Sequence, residues 1–358
     1  MKRVKSENFF CPLPLAGGET VQLAHGGGSR MAAELIEKLL VPGFDDPVLS
    51  RLEDQATLDL VLAPGERLAF TTDSFVVDPL FFPGGSIGEL AINGTINDLA
   101  MGGARPLYLS VALIIEEGLP LADLERVLAA MATAARAAGV RVVTGDTKVV
   151  GRGACDKLFI NTSGIGLVPV GVDLSAANLR PGDRIILSGT MADHGMAIMS
   201  CREGLSFVSP LASDTAALHG LVAAMLAVAP PAAGGLRAMR DPTRGGVAAV
   251  LSELARASRV GVVIAEERLP VAPPVRGGCE VLGIDPLFVA NEGKLLAAVA
   301  AERADELLAA MRAHPLGREA AIIGEVTAAN PGLVALRTIL GTSRIIDLPA
   351  GEQLPRIC

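Results

Sequence analysis

Residues 68–104 read LAFTTDSFVVDPLFFPGGSIGELAINGTINDLAMGGA, and the hydrophobic period changes within them. Leu68 to Thr72 is a short apolar and β-branched run, which predicts a strand ending at Asp73. From Ser86 to Met101 the spacing becomes helical. Ile87, Leu90, Ala91 and Leu99 are apolar, while Glu89, Asn93 and Asn97 follow one another four residues apart. Gly94 inside that helix costs about 1 kcal/mol relative to Ala, so something approaches its backbone closely. By spacing alone the stripe through Asn93 reads as a solvated helix face.

Outward from this stretch, strands and amphipathic helices alternate from about Leu58 to Val168, and again from Asp183 to Ile346. Such alternation predicts a layered α/β protein. Between the two series, Pro169 to Asp183 carries Arg180-Pro181-Gly182-Asp183, the composition of a boundary. Four regions follow: an N-terminal segment (1–44), a first domain (45–172), a second domain (173–347) and an extended tail (348–358). A further strand, Val140 to Val143, is predicted to end at Thr144-Gly145-Asp146. Ligands of α/β sheets collect outside the carboxyl ends of strands, which favours Asp73 and Asp146 for chemistry. Both also suit turns or helix caps.

The 358 residues are 50% hydrophobic but only 3% aromatic, so the core is built from aliphatic side chains. A net charge of −8 lacks the basic field that displaces counterions from nucleic acid, and no nucleic-acid partner is expected. Mean hydropathy is +0.46, and Leu221 to Leu236 has no charged residue. That stretch is shorter than the ~20 residues a span requires and is broken by Pro230-Pro231, which predicts a buried helix ending there and no membrane contact. No secretion signal precedes the first domain, so a cytoplasmic location is expected. The five cysteines (Cys11, Cys155, Cys201, Cys279, Cys358) have no metal-type or paired spacing.

Asp241-Pro242-Thr243-Arg244-Gly245-Gly246 precedes a helix whose stripe is Val247, Val250, Leu251 and Leu254. Asp241 or Thr243 as a cap, and a phosphate on backbone N–H groups freed by the glycines, fit this spacing about equally. No GxxxxGK[ST] occurs, so a nucleotide site here is not of the P-loop type. The last eleven residues, LPAGEQLPRIC, have neither helical nor strand period; fully extended they reach ~30 Å and carry Cys358.

Several motifs resemble those of one family: HGGGS from His25, TTDSFVVDPLFFPGG from Thr71, NGTINDLAMGGA from Asn93 and TGDTKVV from Thr144. DHGMAIMS from Asp193, REGLSF from Arg202, DPTRGGV from Asp241, CEVLGIDPLFVANEGKL from Cys279 and the closing PRIC continue the match over nearly the whole chain. They resemble the HypE hydrogenase maturation proteins, members of the superfamily of aminoimidazole ribonucleotide synthetase and selenophosphate synthetase. The resemblance implies a two-domain PurM-like fold whose N-terminal sheet forms a barrel across a homodimer, with ATP between the halves.

By the same resemblance, Asp54, Asp98 and Asp241 are expected to hold Mg2+, and Asp73, Asn93, Gly145, Asp146 and Thr147 to contact the nucleotide. Cys358 is expected to carry a carbamoyl group that ATP-dependent dehydration turns into thiocyanate, the source of cyanide ligands for nickel–iron hydrogenase. Glu292 is the candidate base and Lys148 the candidate cation, although a helix-start acid and a solvated lysine are their plain alternatives. The implied partners are the carbamoyltransferase HypF as donor and the HypC–HypD iron scaffold as cyanide acceptor. His25 and the glycines after it are expected to form a loop over the phosphates, or else a simple linker.

Overall fold

The computed structural model describes residues 19–26, 29–204, 211–348, 354 and 356–358. Readings placed on Cys11, on Gly27 and Gly28, on residues 205–207 of the REGLSF motif and on residues 349–353 and 355 of the tail lie outside them.

Ser29 accepts from the Ala32 N–H at 3.3 Å and so opens helix α1 (Arg30–Leu35), which runs through a π turn into α2 (Val41–Phe44). There follow β1 (Arg67–Phe75), the short β2 (Phe81–Phe82) and β3 (Gly85–Ser86), α3 (Ile87–Met101), β4 (Arg105–Glu116), α4 (Leu121–Ala138), β5 (Arg141–Val150) and β6 (Leu158–Val168). The long strands form a sheet in the order β1-β6-β4-β5, in which only β4 and β5 run parallel. Alternate residues such as Leu109, Val111, Leu113 and Ile115 are buried on the face that α3 and α4 cover. The other face is open, and on it Phe70 is 69% and Ile114 42% exposed.

Two strands outrun their predicted ends. Asp73 pairs with Thr162, and Gly145 and Asp146 pair with Val111 and Ala112, so the acids lie inside β1 and β5 rather than beyond them. Partner strands on the sheet continue the ladder through residues of poor strand propensity, which context overrides. Between Val168 and Arg184 there is neither helix nor strand.

The second half contains β7 (Arg184–Leu187), α5 (Asp193–Arg202), α6 (His219–Val228), β8 (Leu236–Arg240), α7 (Gly246–Ser258), β9 (Gly261–Ala265), α8 (Pro273–Leu282), β10 (Leu296–Val299), α9 (Ala304–Ala313), β11 (Ala321–Thr327), β12 (Val334–Arg337) and β13 (Ser343–Ile346). Its seven strands lie in the order β13-β12-β9-β11-β7-β10-β8. On one face, Val247, Leu251 and Leu254 of α7 pack against Val262 and Ile264; on the other, Leu221, Met225, Leu307 and Met311 of α6 and α9 close a second core. Helix α6 stops at Val228, two residues before the predicted prolines, and no helix among the described residues is long and apolar enough to cross a membrane.

Helix α3 departs from the amphipathic reading. Asn93 and Asn97 are buried, because the second half of the chain covers the polar stripe that spacing assigned to water. The close approach expected at Gly94 is present: a Cβ there would lie 2.9 Å from the Phe75 ring. The final residues return to the body of the molecule, where Ile357 is 2% exposed and belongs to a core shared by both halves.

Candidate active site

Four carboxylates converge where the halves meet. Asp73 comes from β1 and Asp98 from α3, Asp241 follows β8 directly, and Glu292 lies four residues before β10. Thr71 donates to Asp98 at 2.9 Å, the Ser74 N–H donates to Asp73 at 2.7 Å, and Arg244 stands 3.8 Å from Asp73. Loss of water raises the pKa of Asp73, partly offset by the Ser74 N–H and by Arg244. Loss of water also raises Asp98, and the Asp73 charge adds to it. Asp241 is pushed up to about 7, first by burial and then by the Asp98 and Asp73 charges. Glu292 is raised well above the usual range by complete burial, with Asp214, Asp241 and Asp73 adding repulsion, and its Oε1 is buried without a hydrogen-bond partner.

The repulsion among such carboxylates is relieved by taking up protons, as their raised pKa values show, or by a cation held between them. Among the described residues no three His, Cys, Asp or Glu side chains stand close enough to enclose a metal ion by themselves. That arrangement fits Mg2+, which takes one or two carboxylates and fills its remaining positions with phosphate oxygens and water. Asp54 is exposed on the segment after Arg51, and the charges acting on Asp98 and Asp241 come from other residues, so the structure does not bring it to them within the chain.

The loop carrying Glu292 is held by two buried asparagines. Asn97 donates to the carbonyls of Glu292 and Ala216 at 3.1 and 3.0 Å and accepts from the Leu218 N–H at 2.7 Å. Asn291 accepts from the Ala192 N–H at 2.7 Å and donates to the Pro242 carbonyl at 2.9 Å, which ties the loop to the residue after Asp241. Asp214 accepts from the Glu292 N–H and from Lys294, each at 3.1 Å. Asn93, expected on the nucleotide, donates to Thr215 at 3.3 Å and braces the same segment. Asn97→Ala is expected to lower unfolding free energy by about 2–4 kcal/mol, since it strands three buried backbone groups at roughly 1–3 kcal/mol each before relaxation. A urea melt within 1 kcal/mol of the parent would rule that out. Motif reading passed over Asp214, a turn-type residue before a helix with no local mark of its role.

Gly145, Asp146, Thr147 and Lys148 lie elsewhere. Asp73, Thr162, Val111 and Gly145 occupy one rung across the sheet, which separates β1 from β5 by three strand spacings, about 14 Å. Asp146 and Lys148 alternate onto the open face with Ile114, whereas Asp73 faces α3. The two form an exposed ion pair at 3.9 Å. They line a cavity of about 490 Å³ with His25, Ser29, Glu53 and Thr147. Gly26 lies against Val149, where a Cβ would meet the Val149 nitrogen at 2.3 Å, so the described part of the glycine loop rests on the edge of β5. Within one chain the expected nucleotide residues therefore form two groups.

Residues 356–358 dock beside the first group. The Val76 N–H donates to the Cys358 carbonyl at 3.0 Å, His194 Nε2 lies 2.8 Å from the Ile357 carbonyl, and Arg202 donates to the Arg356 carbonyl. Val76 is three residues beyond Asp73, about 10 Å along the strand direction. Among the described residues Cys155, Cys201, Cys279 and Cys358 form no disulfide with one another, and Cys155 and Cys279 are buried.

The AIR synthase related N-terminal domain model matches residues 52–168 and the corresponding C-terminal domain model matches residues 180–335. The carbamoyl dehydratase HypE of Azotobacter vinelandii is 56% identical over 95% of this chain and 97% of its own length. A crystal structure of hydrogenase maturation protein HypE in complex with ATP superposes with a TM-score of 0.89, at 49% identity, covering 95% of this chain and 100% of that one. The structure of a HypE–HypF complex also matches, with a TM-score of 0.76 at 48% identity over 88% of this chain and 99% of that one. With both domain models matched and relatives more than half identical over nearly their whole length, this chain belongs to the HypE family of carbamoyl dehydratases.

Proposed function

We propose that this chain carries a carbamoyl group on Cys358 and dehydrates it to thiocyanate with ATP. The observation that carries the reading is the docking of residues 356–358 beside β1, one short stretch of strand from Asp73 and its partner carboxylates. A carbonyl oxygen is a poor leaving group, and phosphorylation makes it a good one. The carbamoyl oxygen attacks the γ-phosphorus and displaces ADP; the C–O bond then breaks, phosphate departs with that oxygen, and both N–H protons are lost as the nitrile forms.

Asp98 and Asp241 are the residues that would hold Mg2+, whose charge supplies electrostatic relief for the triphosphate. Asp73 and Arg244 line the same junction. Glu292 accepts a proton from the carbamoyl nitrogen, and burial with its neighbouring carboxylates raises its pKa, which makes its ionised form a stronger base. ATP binding is supported by the related HypE solved with ATP.

Gly145, Asp146, Thr147 and Lys148 are proposed to act from a second subunit. The open sheet face with exposed Phe70 and Ile114 is apolar enough to pair with its own copy, and such a homodimer would bring the edge groups of one chain toward the junction of the other. The carbamoyltransferase HypF is the proposed donor, in keeping with the related HypE–HypF complex, and a HypC–HypD iron scaffold the proposed acceptor. Incubation with the carbamoyltransferase, carbamoyl phosphate, ATP and Mg2+, followed by mass spectrometry of the peptide containing Cys358, tests the function. The expected record is addition of a carbamoyl group and then loss of one water; a loaded peptide that keeps its oxygen while ATP is hydrolysed would refute it.

A further inference from the structure

His194 is the second residue of α5 and is fully buried, with both ring nitrogens engaged. Nε2 lies 2.8 Å from the Ile357 carbonyl oxygen, which can only accept, so Nε2 carries a proton. Nδ1 lies 2.8 Å from Ser213 Oγ. Burial lowers the histidine pKa and holds the ring neutral, so Nδ1 accepts and the serine hydroxyl donates. The same serine oxygen accepts from the Thr215 N–H at 3.2 Å, which turns its own hydrogen toward the ring. Phe82 meets the imidazole edge-on, with ring centroids 5.5 Å apart, and limits its rotation.

The tail is gripped by its main chain, beside an Arg356–Asp156 ion pair at 2.7 Å and the burial of Ile357. Three successive carbonyls, of Arg356, Ile357 and Cys358, accept from Arg202, His194 and the Val76 N–H. Arg202 itself is anchored by donating to the Asp78 carbonyl at 2.6 Å. These contacts hold the segment by its backbone, and the Cys358 side chain lies partly buried against the core. The segment that sets the histidine tautomer also reaches the chemistry, because Asp214 accepts from the Glu292 N–H and Thr215 accepts from Asn93.

We propose that His194 and Ser213 are positioning residues that hold the main chain of residues 356–358 and, through Asp214, set the docked Cys358 and the backbone of Glu292 in register. The proposal rests on Cys358 as the carbamoyl carrier.

The test uses the full-length protein and two readouts. The first needs neither nucleotide nor carbamoyl donor: the rate of iodoacetamide labelling at Cys358, resolved from Cys201 by mass spectrometry of the separate peptides. Labelling is expected to be slower than in a free peptide of the last six residues. His194→Ala is expected to raise it about tenfold, the effect of losing one buried hydrogen bond, and Ser213→Ala about threefold. His194→Gln, which keeps a donor near the Nε2 position and an acceptor for the serine, is expected to restore most of the protection.

The second readout is thiocyanate formed per loaded chain, expected to fall in His194→Ala and recover in His194→Gln. Parental labelling rates in both alanine variants overturn the proposal; if His194→Ala does not fold, a parental rate in Ser213→Ala does so alone. If instead the loaded parent never loses water, the carrier reading fails while the labelling result on docking stands.

Discussion

Glu292→Gln is expected to reduce dehydration of the loaded chain by about 100-fold or more, because general-base transfer contributes roughly that much and glutamine cannot accept the proton. The substitution keeps shape and an amide where the carboxyl sits, so the hold of Asn97 and Asp214 on the backbone survives. It also has a thermodynamic signature. A carboxyl whose folded pKa is raised binds its proton more tightly folded than unfolded; its contribution is fully present below the unfolded value, about 4.3, and is lost as pH rises through the folded value. The parent should therefore lose stability relative to Glu292→Gln over the range in which pH rises from below the unfolded value through the folded one. Melting temperature measured on both proteins across that range, beside single-turnover conversion, separates the outcomes. A variant that turns over at the parental rate removes Glu292 from the proton transfer.

Cys358→Ala is expected to abolish carbamoyl loading, and thiocyanate formation with it. Cys155 and Cys279 cannot substitute: both are buried, and burial pushes both thiols up, Cys279 to about 11, which keeps them protonated and unreactive. The fold should be indifferent. Packing of the segment comes mainly from Leu354 and Ile357, so loss of one sulfur from a partly exposed residue at the rim of that core changes stability by about 1 kcal/mol or less. Calorimetric titration with MgATP is expected to match the parent. Incorporation of labelled carbamoyl group into Cys358→Ala would overturn the carrier assignment, and a collapse of nucleotide binding would show that the thiol has a structural part.

These expectations draw unequally on sequence and structure. The helix after Asp241 was legible in full, since Val247, Val250, Leu251 and Leu254 recur on one face and all are buried in the observed α7. Gly94 announced a close neighbour, and Phe75 is that neighbour. Strand ends were read too early at Asp73 and Gly145, because pairing with β6 and β4 extends the ladder beyond what local propensity supports. Motif resemblance gathered Asp73, Asp98, Asp241 and Glu292 into one site, and the geometry joins them. It also placed Asp54 and the Gly145 to Lys148 group there, and within a single chain they are not.

Sequence by itself determined what depends on neighbours in the chain: period, punctuation, the uncharged stretch that stops before its prolines, and the acid and thiol side chains available for chemistry. Tertiary structure alone decided that the polar stripe of α3 is buried, that Asn97 and Asp214 hold the Glu292 loop, that β1 and β5 lie three strands apart, and that the last residues dock on His194. The physical reason is satisfaction at a distance. A buried amide or carboxylate must find its partner among groups a hundred or more residues away, and no spacing within a helix or strand records which loop will supply it.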